Sequence, residues 1–442
     1  MQAGKIGSSL PVGGLAMPHR RVFATRRVKA NGLRWPVVLF LLTLVVPWMF
    51  YFGELRMSAY RVVLLVMLLP CLVMWMRGKA GPLRLGDFAV LLYSFWVTLS
   101  LSAVHGFEPS VKTSGIIVIE TLGGYLLARC YIRDADDFHN FIKLMFGIVL
   151  LLLPFAAFEF FTGQNVSRNL FELVMPTPEW RTMPSRSGLS RVQSVFDHPI
   201  LFGALTGSVF ALVYLVLCHG KSMLQRGLMA GVVAVTSFMS LSAGPMISLF
   251  VQSFLMCWNG LLGGIRFRWQ LLITLVVSAV VAIELLADRS TVEIAVSYFL
   301  FEPISYWGRK MIWDFGTASV ANHPLFGVGM DDWERPRWLG SGSSIDNFWL
   351  FLAVKYGLPA PLLMALIFFS IFLAVSRKKG LDARVAACRT AFLITLTSFF
   401  VVAWTVHFWD SAYVVFLFLM GSGVWMLDVN AYNRSAWERQ RV

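Results

Sequence analysis

The sequence predicts an all-α membrane protein, a bundle of about twelve transmembrane helices with one large polar loop between spans nine and ten. Three observations predict it. Of 442 residues, 57% are hydrophobic and only 14% charged, against about 25% charged in soluble domains. The apolar residues gather in runs close to the roughly 20 that cross a bilayer as one helix. Lysine and arginine concentrate in every second connection, which is how retention of positive charge in the cytoplasm shapes a polytopic chain. Helices rather than barrel strands follow because no alternating pattern is present, and because backbone groups in lipid must find their partners within the segment.

Residues 1–34 form a basic tail without a single acid, predicted to be disordered and cytoplasmic. The predicted spans are 35–52, 59–76, 87–105, 113–130, 141–161, 199–218, 227–242, 244–262, 270–287, 348–375, 386–407 and 411–428. The seventh and eighth share the short break Leu241-Ser242-Ala243-Gly244-Pro245. Residues 429–442 form a second short tail. The basic connections are Arg77/Lys79/Arg84, Arg129/Arg133, Lys221/Arg226, Arg266/Arg268 and Arg377/Lys378/Lys379/Arg384. They place both termini in the cytoplasm and the long connections 162–198 and 288–347 on the opposite side. The same loops account for the net charge of +14 without a nucleic-acid partner, since no base-reading motif is present. All five cysteines lie in or beside apolar runs, so no disulfide framework is predicted.

The long connections hold the residues able to do chemistry. Arg168, Arg181, Arg186, Arg191, Arg289, Arg309, Lys310, Arg335 and Arg337 make them basic. Guanidinium groups hold phosphate oxygens in a fixed two-pronged geometry, so these arginines suit an anion at the membrane surface. His198 and His323 each precede proline. That position favours a turn or the start of a helix, and His198 is read that way. Gly327-Val328-Gly329 permits a tight turn with exposed N–H groups. Asp331-Asp332-Trp333-Glu334 suits either a solvated loop or a divalent cation. Glu120 and Glu159 sit inside apolar runs, where charge is costly and commonly functional. Trp307, Trp313, Trp333, Trp338 and Trp349 suit an interfacial aromatic belt or platforms for sugar rings.

Arg309…Trp313…Asn322-His323-Pro324-Leu325-Phe326-Gly327-Val328-Gly329, followed by Asp346-Asn347 and Gly357-Leu358-Pro359-Ala360, resembles the signature of the O-antigen ligase and polymerase superfamily. Arg191…Phe196-Asp197-His198-Pro199 resembles its upstream arginine-bearing segment. In that family the signature lies in the largest periplasmic loop of a bacterial inner-membrane protein. Three positions depart from the pattern. Asp346 stands where the family has histidine, Ala360 replaces the last motif glycine, and Ala243 replaces an arginine found in many ligases. Such variants look more like exopolysaccharide or O-antigen polymerases than lipopolysaccharide ligases.

The resemblance implies a metal-independent, inverting glycosyltransferase with no cofactor. Its donor would be a glycan on a polyprenyl pyrophosphate, and its acceptor a hydroxyl of another lipid-linked repeat unit. Flippase and chain-length regulator proteins are the partners such an assembly implies, beside membrane lipid. Arg191 and Arg309 would offset charge on the departing pyrophosphate. Asp346 or His323 would take the acceptor proton. Asn347, Trp313, Gly327 and Gly329 complete the expected substrate-binding set. A ligase transferring polymer to a lipid core, and a twelve-span secondary transporter, are the alternatives.

Overall fold

The computed structural model of the chain describes residues 32–53, 55–178, 183–186, 188–286, 303–336 and 344–429. Arg181, Arg289, Arg337, Trp338 and most of both tails lie outside these. Nine helices among the described residues are long and apolar enough to cross a membrane: Ala59–Met76, Leu85–His105, Phe107–Tyr131, Ala135–Thr162, Pro199–Leu217, Arg268–Leu286, Pro359–Arg377, Ala383–Val402 and Asp410–Leu427. The protein is a multi-pass helical membrane protein on that count.

Where the structure departs from the expected twelve, the local cause is legible. The run 35–52 is not one span. A nine-residue helix α1, Trp35–Thr43, gives way to a hairpin of β1, Met49–Phe52, and β2, Leu55–Ser58. Pro47 disfavours helix at Val46, and Gly53 at φ +62° turns the hairpin. The helix α2, Ala59–Met76, then begins directly. Next come α3, Leu85–His105, and a single span built of α4, Phe107–Val118, a π-helical turn Ile119–Gly123, and α5, Gly124–Tyr131. The long α6, Ala135–Thr162, leads to a short α7, Val166–Glu172, inside the first long connection. The sixth predicted span is α8, Pro199–Gly207, with α9, Phe210–Leu212, and a π turn to Leu217. The seventh, α10, Met223–Phe238, is apolar but only 16 residues long. The eighth, α11, Ala243–Leu261, carries Gln252 and Asn259 and is not among the nine. It is followed by α12, Arg268–Leu286.

The second long connection is not all loop. It contains α13, Pro303–Asn322, which carries Arg309. The predicted span 348–375 is two helices, α14, Phe348–Tyr356, and α15, Pro359–Arg377, parted at Gly357 with φ +75°. The bundle closes with α16, Ala383–Val402, and α17, Asp410–Ser422.

Close helix contacts use small residues, as packing in lipid requires. A Cβ on Gly421 of α17 would come within 2.3 Å of the Tyr125 carbonyl of α5, and one on Gly86 of α3 within 2.9 Å of Ile371 of α15. The short basic connections meet one another. Arg84 and Arg133 both pair with Asp428, and Arg384 pairs with Asp136. The two long connections meet at a separate place, described next. A satellite apolar core of Ile312, Val320, Val328, Trp333, Ile345, Leu350, Ala353 and Val354 fixes α13 and the signature turn onto α14.

Candidate active site

A cavity of about 590 Å³ forms where both long connections converge on the start of α11 and on the link between α16 and α17. Arg191, Arg309 and Asp346, distant in sequence, all line it. Each is held differently. Arg191 donates from Nη2 to the Ser242 hydroxyl at 3.1 Å. The chain around it is fixed by Glu159 at the end of α6, whose two oxygens accept the Gln193 and Ser194 N–H groups at 2.8 and 2.9 Å. Ser194 sits at φ +53°, a left-handed conformation that the buried Asn165 side chain secures through the Ser194 carbonyl. Glu159 thus anchors the arginine segment.

Arg309 projects from α13 with a buried Nη1 that has no hydrogen-bond partner among the described residues. Burial pushes this guanidinium down from the ordinary arginine range, Asp346 opposes the shift and Arg186 adds to it. A buried unsatisfied donor costs about 1–3 kcal/mol. It suits a site whose missing partner is an anionic ligand.

Asp346 accepts from the Ser344 hydroxyl at 2.8 Å and remains partly open to the cavity. It does not cap the following helix. That task falls to Asn347, whose side-chain oxygen accepts from Leu350 N at 3.0 Å and which is buried. Asn347 therefore holds α14 in register instead of facing the cavity.

The remaining expected residues lie elsewhere. His323 borders a second, more open depression and faces Glu334 at 3.3 Å; the structure does not bring it to the arginines. Trp313 is exposed on α13 and does not line the cavity, and Trp333 and Trp349 are buried core residues. Gly327 and Gly329 adopt φ +66° and +60°. Their turn presents no spare N–H groups to a substrate. Gly327 N donates to His323 O, Val328 N to Val354 O, Gly329 N to Lys355 O, and Met330 N to His105 Nε2. The glycine signature is a clasp that locks α13 to the end of α14. Gly357 belongs to the same clasp, since a Cβ there would sit 1.8 Å from the Leu325 carbonyl oxygen. Gly357→Ala is expected to cost about 1–3 kcal/mol from its backbone at φ +75° and ψ 170°, a region essentially reserved for glycine, with the clash against the Leu325 carbonyl added. A fall in melting temperature in detergent checks this, and an unchanged value would remove the clasp.

Asp332 pairs with Arg335, and Glu334 with Asn322 and His323. Among the described residues no three His, Cys, Asp or Glu side chains gather as metal ligands. Glu120, in the π turn, accepts from Tyr60 and Arg61, and Arg61 also reaches Asp410 at 2.5 Å. Of Arg61, Glu120 and Asp410 only Glu120 is buried, and none of the three lines the cavity.

Arg186, one of the long-connection arginines expected to suit an anion, lines the cavity, as do His407, Ser242 and Trp409, which sequence reasoning did not single out as site residues. His407 lies in the polar break Thr405-Val406-His407-Phe408-Trp409-Asp410 between the last two spans, a signal that was present but short. Its ring stacks on Phe351 at 3.8 Å, and burial pushes it down to about 3. His198 caps α8 through Nδ1, as a residue before a helix-opening proline should, and also borders the cavity. Burial, with Arg191 and Arg186 nearby, pushes it down to about 4. Both imidazoles are neutral near pH 7, so the cavity's positive charge is arginine, supplemented by the dipole of α11, whose first turn faces it. No protein-family model and no curated protein matches this chain.

Proposed function

We propose that this protein is a polysaccharide polymerase of the inner membrane, transferring a glycan from a polyprenyl-pyrophosphate donor to the hydroxyl of another lipid-linked repeat unit. The observation that carries the reading is the convergence of Arg191, Arg309 and Asp346 on one cavity. Arginines able to hold a diphosphate leaving group stand there with a carboxylate able to accept a hydroxyl proton. The glycosidic bond to the carrier phosphate breaks, the acceptor oxygen bonds to the sugar carbon, and Asp346 takes the acceptor proton while the arginines offset charge on the departing pyrophosphate. Trp409, which lines the cavity, would contact the sugar.

The distribution of Lys and Arg over the connections supports a periplasmic position for the site. A cysteine at the exposed Thr317 of α13, in a background lacking native cysteines, should label with impermeant maleimide in intact spheroplasts. Labelling only after lysis would reverse the orientation and remove the reading.

Activity is tested with the purified protein in liposomes carrying a polyprenyl-pyrophosphate-linked repeat unit. A ladder of longer lipid-linked glycans with release of polyprenyl pyrophosphate is expected. Transfer only to an added lipid core would identify a ligase instead. The Arg61–Glu120–Asp410 cluster, with Glu120 buried inside a membrane-crossing helix, is the observation that favours a transporter. Uptake of a solute without any ladder would decide for it.

A further inference from the structure

The chain turns sharply beside Trp409. This residue is extended, at φ −135° and ψ 164°, yet its carbonyl already accepts from Ala412 N at 3.1 Å as α17 begins. Asp410 makes the change of direction at φ +45°, a costly conformation for a residue with a Cβ. Among the described residues only Ser194, Leu241 and Asp410 take positive φ without being glycine. Each adjoins a residue of the cavity: Ser194 lies just after Arg191, Leu241 precedes Ser242, and Asp410 follows Trp409. Each is also bonded from a distant part of the chain, Ser194 by Asn165, Leu241 by Arg186 and Asp410 by Arg61. Backbone strain of this kind persists only where the surroundings over-determine it.

At Asp410 the surroundings are a connected set of side chains. Arg61, near the start of α2, donates from Nη2 to Asp410 Oδ1 at 2.5 Å and from Nε to Glu120 Oε1 at 2.8 Å. Tyr60 donates to the same Glu120 oxygen at 2.9 Å. Glu120 is buried in the π turn between α4 and α5, a helix irregularity frequent at functional sites. The Arg61 side chain is only 11% exposed. Its planar guanidinium is therefore oriented by Glu120 before it meets Asp410, and little freedom is lost in making the pair. On the other side of the turn, the Trp409 ring stands edge-on to His198 at 5.5 Å and stacks on His407 at 6.0 Å. All three of these rings line the cavity.

We infer that Arg61 is a positioning residue for this cavity: its ion pair holds Asp410 in the left-handed turn, and that turn sets Trp409 against the bound ligand. Arg61, Glu120 and Asp410 do not line the cavity themselves, so the effect passes through the backbone at residue 410. The inference rests on the polymerase reading only for the ligand being a sugar; the placement of Trp409 follows from the turn.

The decisive comparison is Asp410→Gly against Asp410→Ala. Neither variant can pair with Arg61, and both leave the Arg61–Glu120 bond in place. Glycine takes positive φ readily and alanine does not. If Asp410 served only the first turn of α17, alanine would be the better replacement, because it is the better helix former. The positioning role predicts the opposite order. The protein is grown with 5-fluorotryptophan and purified in detergent, and the Trp409 fluorine resonance is assigned by its loss in Trp409→Phe. That resonance should move in Asp410→Ala and in Arg61→Gln, and stay near its original position in Asp410→Gly. Once Asp410→Gly is present, adding Arg61→Gln should move it no further, as expected when two residues act through one contact. With lipid-linked repeat units in liposomes, Asp410→Ala and Arg61→Gln should raise KM roughly two- to tenfold, the size of one aromatic contact, with kcat little changed. A Trp409 resonance that stays in place in Arg61→Gln and Asp410→Ala, while the glycan ladder still forms, overturns the positioning role and leaves the polymerase reading standing. Alanine that preserves the resonance better than glycine overturns it as well. A resonance that moves as expected in a protein that forms no ladder overturns the polymerase reading and leaves the positioning role standing.

Discussion

Arg309→Ala is expected to abolish polymer assembly, with a loss of roughly 100- to 1000-fold in turnover, the range seen when one preorganised charge stabiliser is removed. The protein should remain folded and inserted. Arg309 Nη1 has no hydrogen-bond partner among the described residues, and its charge is partly buried beside Arg186. Deleting an unsatisfied buried donor removes a cost rather than a bond. Melting temperature should therefore stay level or rise while activity disappears. Arg309→Lys should recover little, because an ammonium cannot make the two-pronged contact of a guanidinium. Turnover in liposomes at matched protein level is the measurement. Full activity in the alanine variant would take Arg309 out of the mechanism.

Asp346→Asn should be nearly as damaging, by roughly 100- to 10,000-fold, the usual contribution of a positioned general base. The amide keeps the shape and can still accept from Ser344, but it cannot take a proton. The sequence leaves a second explanation open, in which Asp346 caps the next helix and Asn replaces it silently. The structure removes that explanation, since Asn347 makes the cap. A damaging Asp346→Asn is then chemical in origin. Asp346→His restores the residue type found in the resembling family and should keep partial activity, with a pH profile displaced upward toward the imidazole range. A near-normal Asn variant would acquit Asp346. His323 would be a poor replacement, because it borders the second depression beside Glu334 rather than the arginine cavity.

Much of the fold was legible in the sequence because lipid imposes a simple rule. Runs such as 59–76 carry enough apolar residues to cross, and the structure forms a helix over Ala59–Met76. The rule fails where a local residue overrides hydropathy. Pro47 and Gly53 turn an apolar run into a short helix and a hairpin, and Gly357 parts α14 from α15. Those punctuation marks are in the sequence, but hydropathy alone does not weigh them.

For the site, the sequence by itself determined which residue types were at hand: arginines in both long connections, Asp346 ahead of a helix, and glycines around Gly327 able to make tight turns. It did not determine which of them share a space. Arg186, Arg191, Arg309, Asp346 and His407 become neighbours only because the two long connections fold back onto the start of α11. His323, beside the same signature, is turned toward Glu334 instead, and the glycine N–H groups are taken up by Val354 and Lys355. Side-chain chemistry is a property of each residue, whereas a binding site depends on distances between segments far apart in the chain. Those distances are set by packing and by backbone hydrogen bonds across the whole fold, and only the tertiary structure decides them.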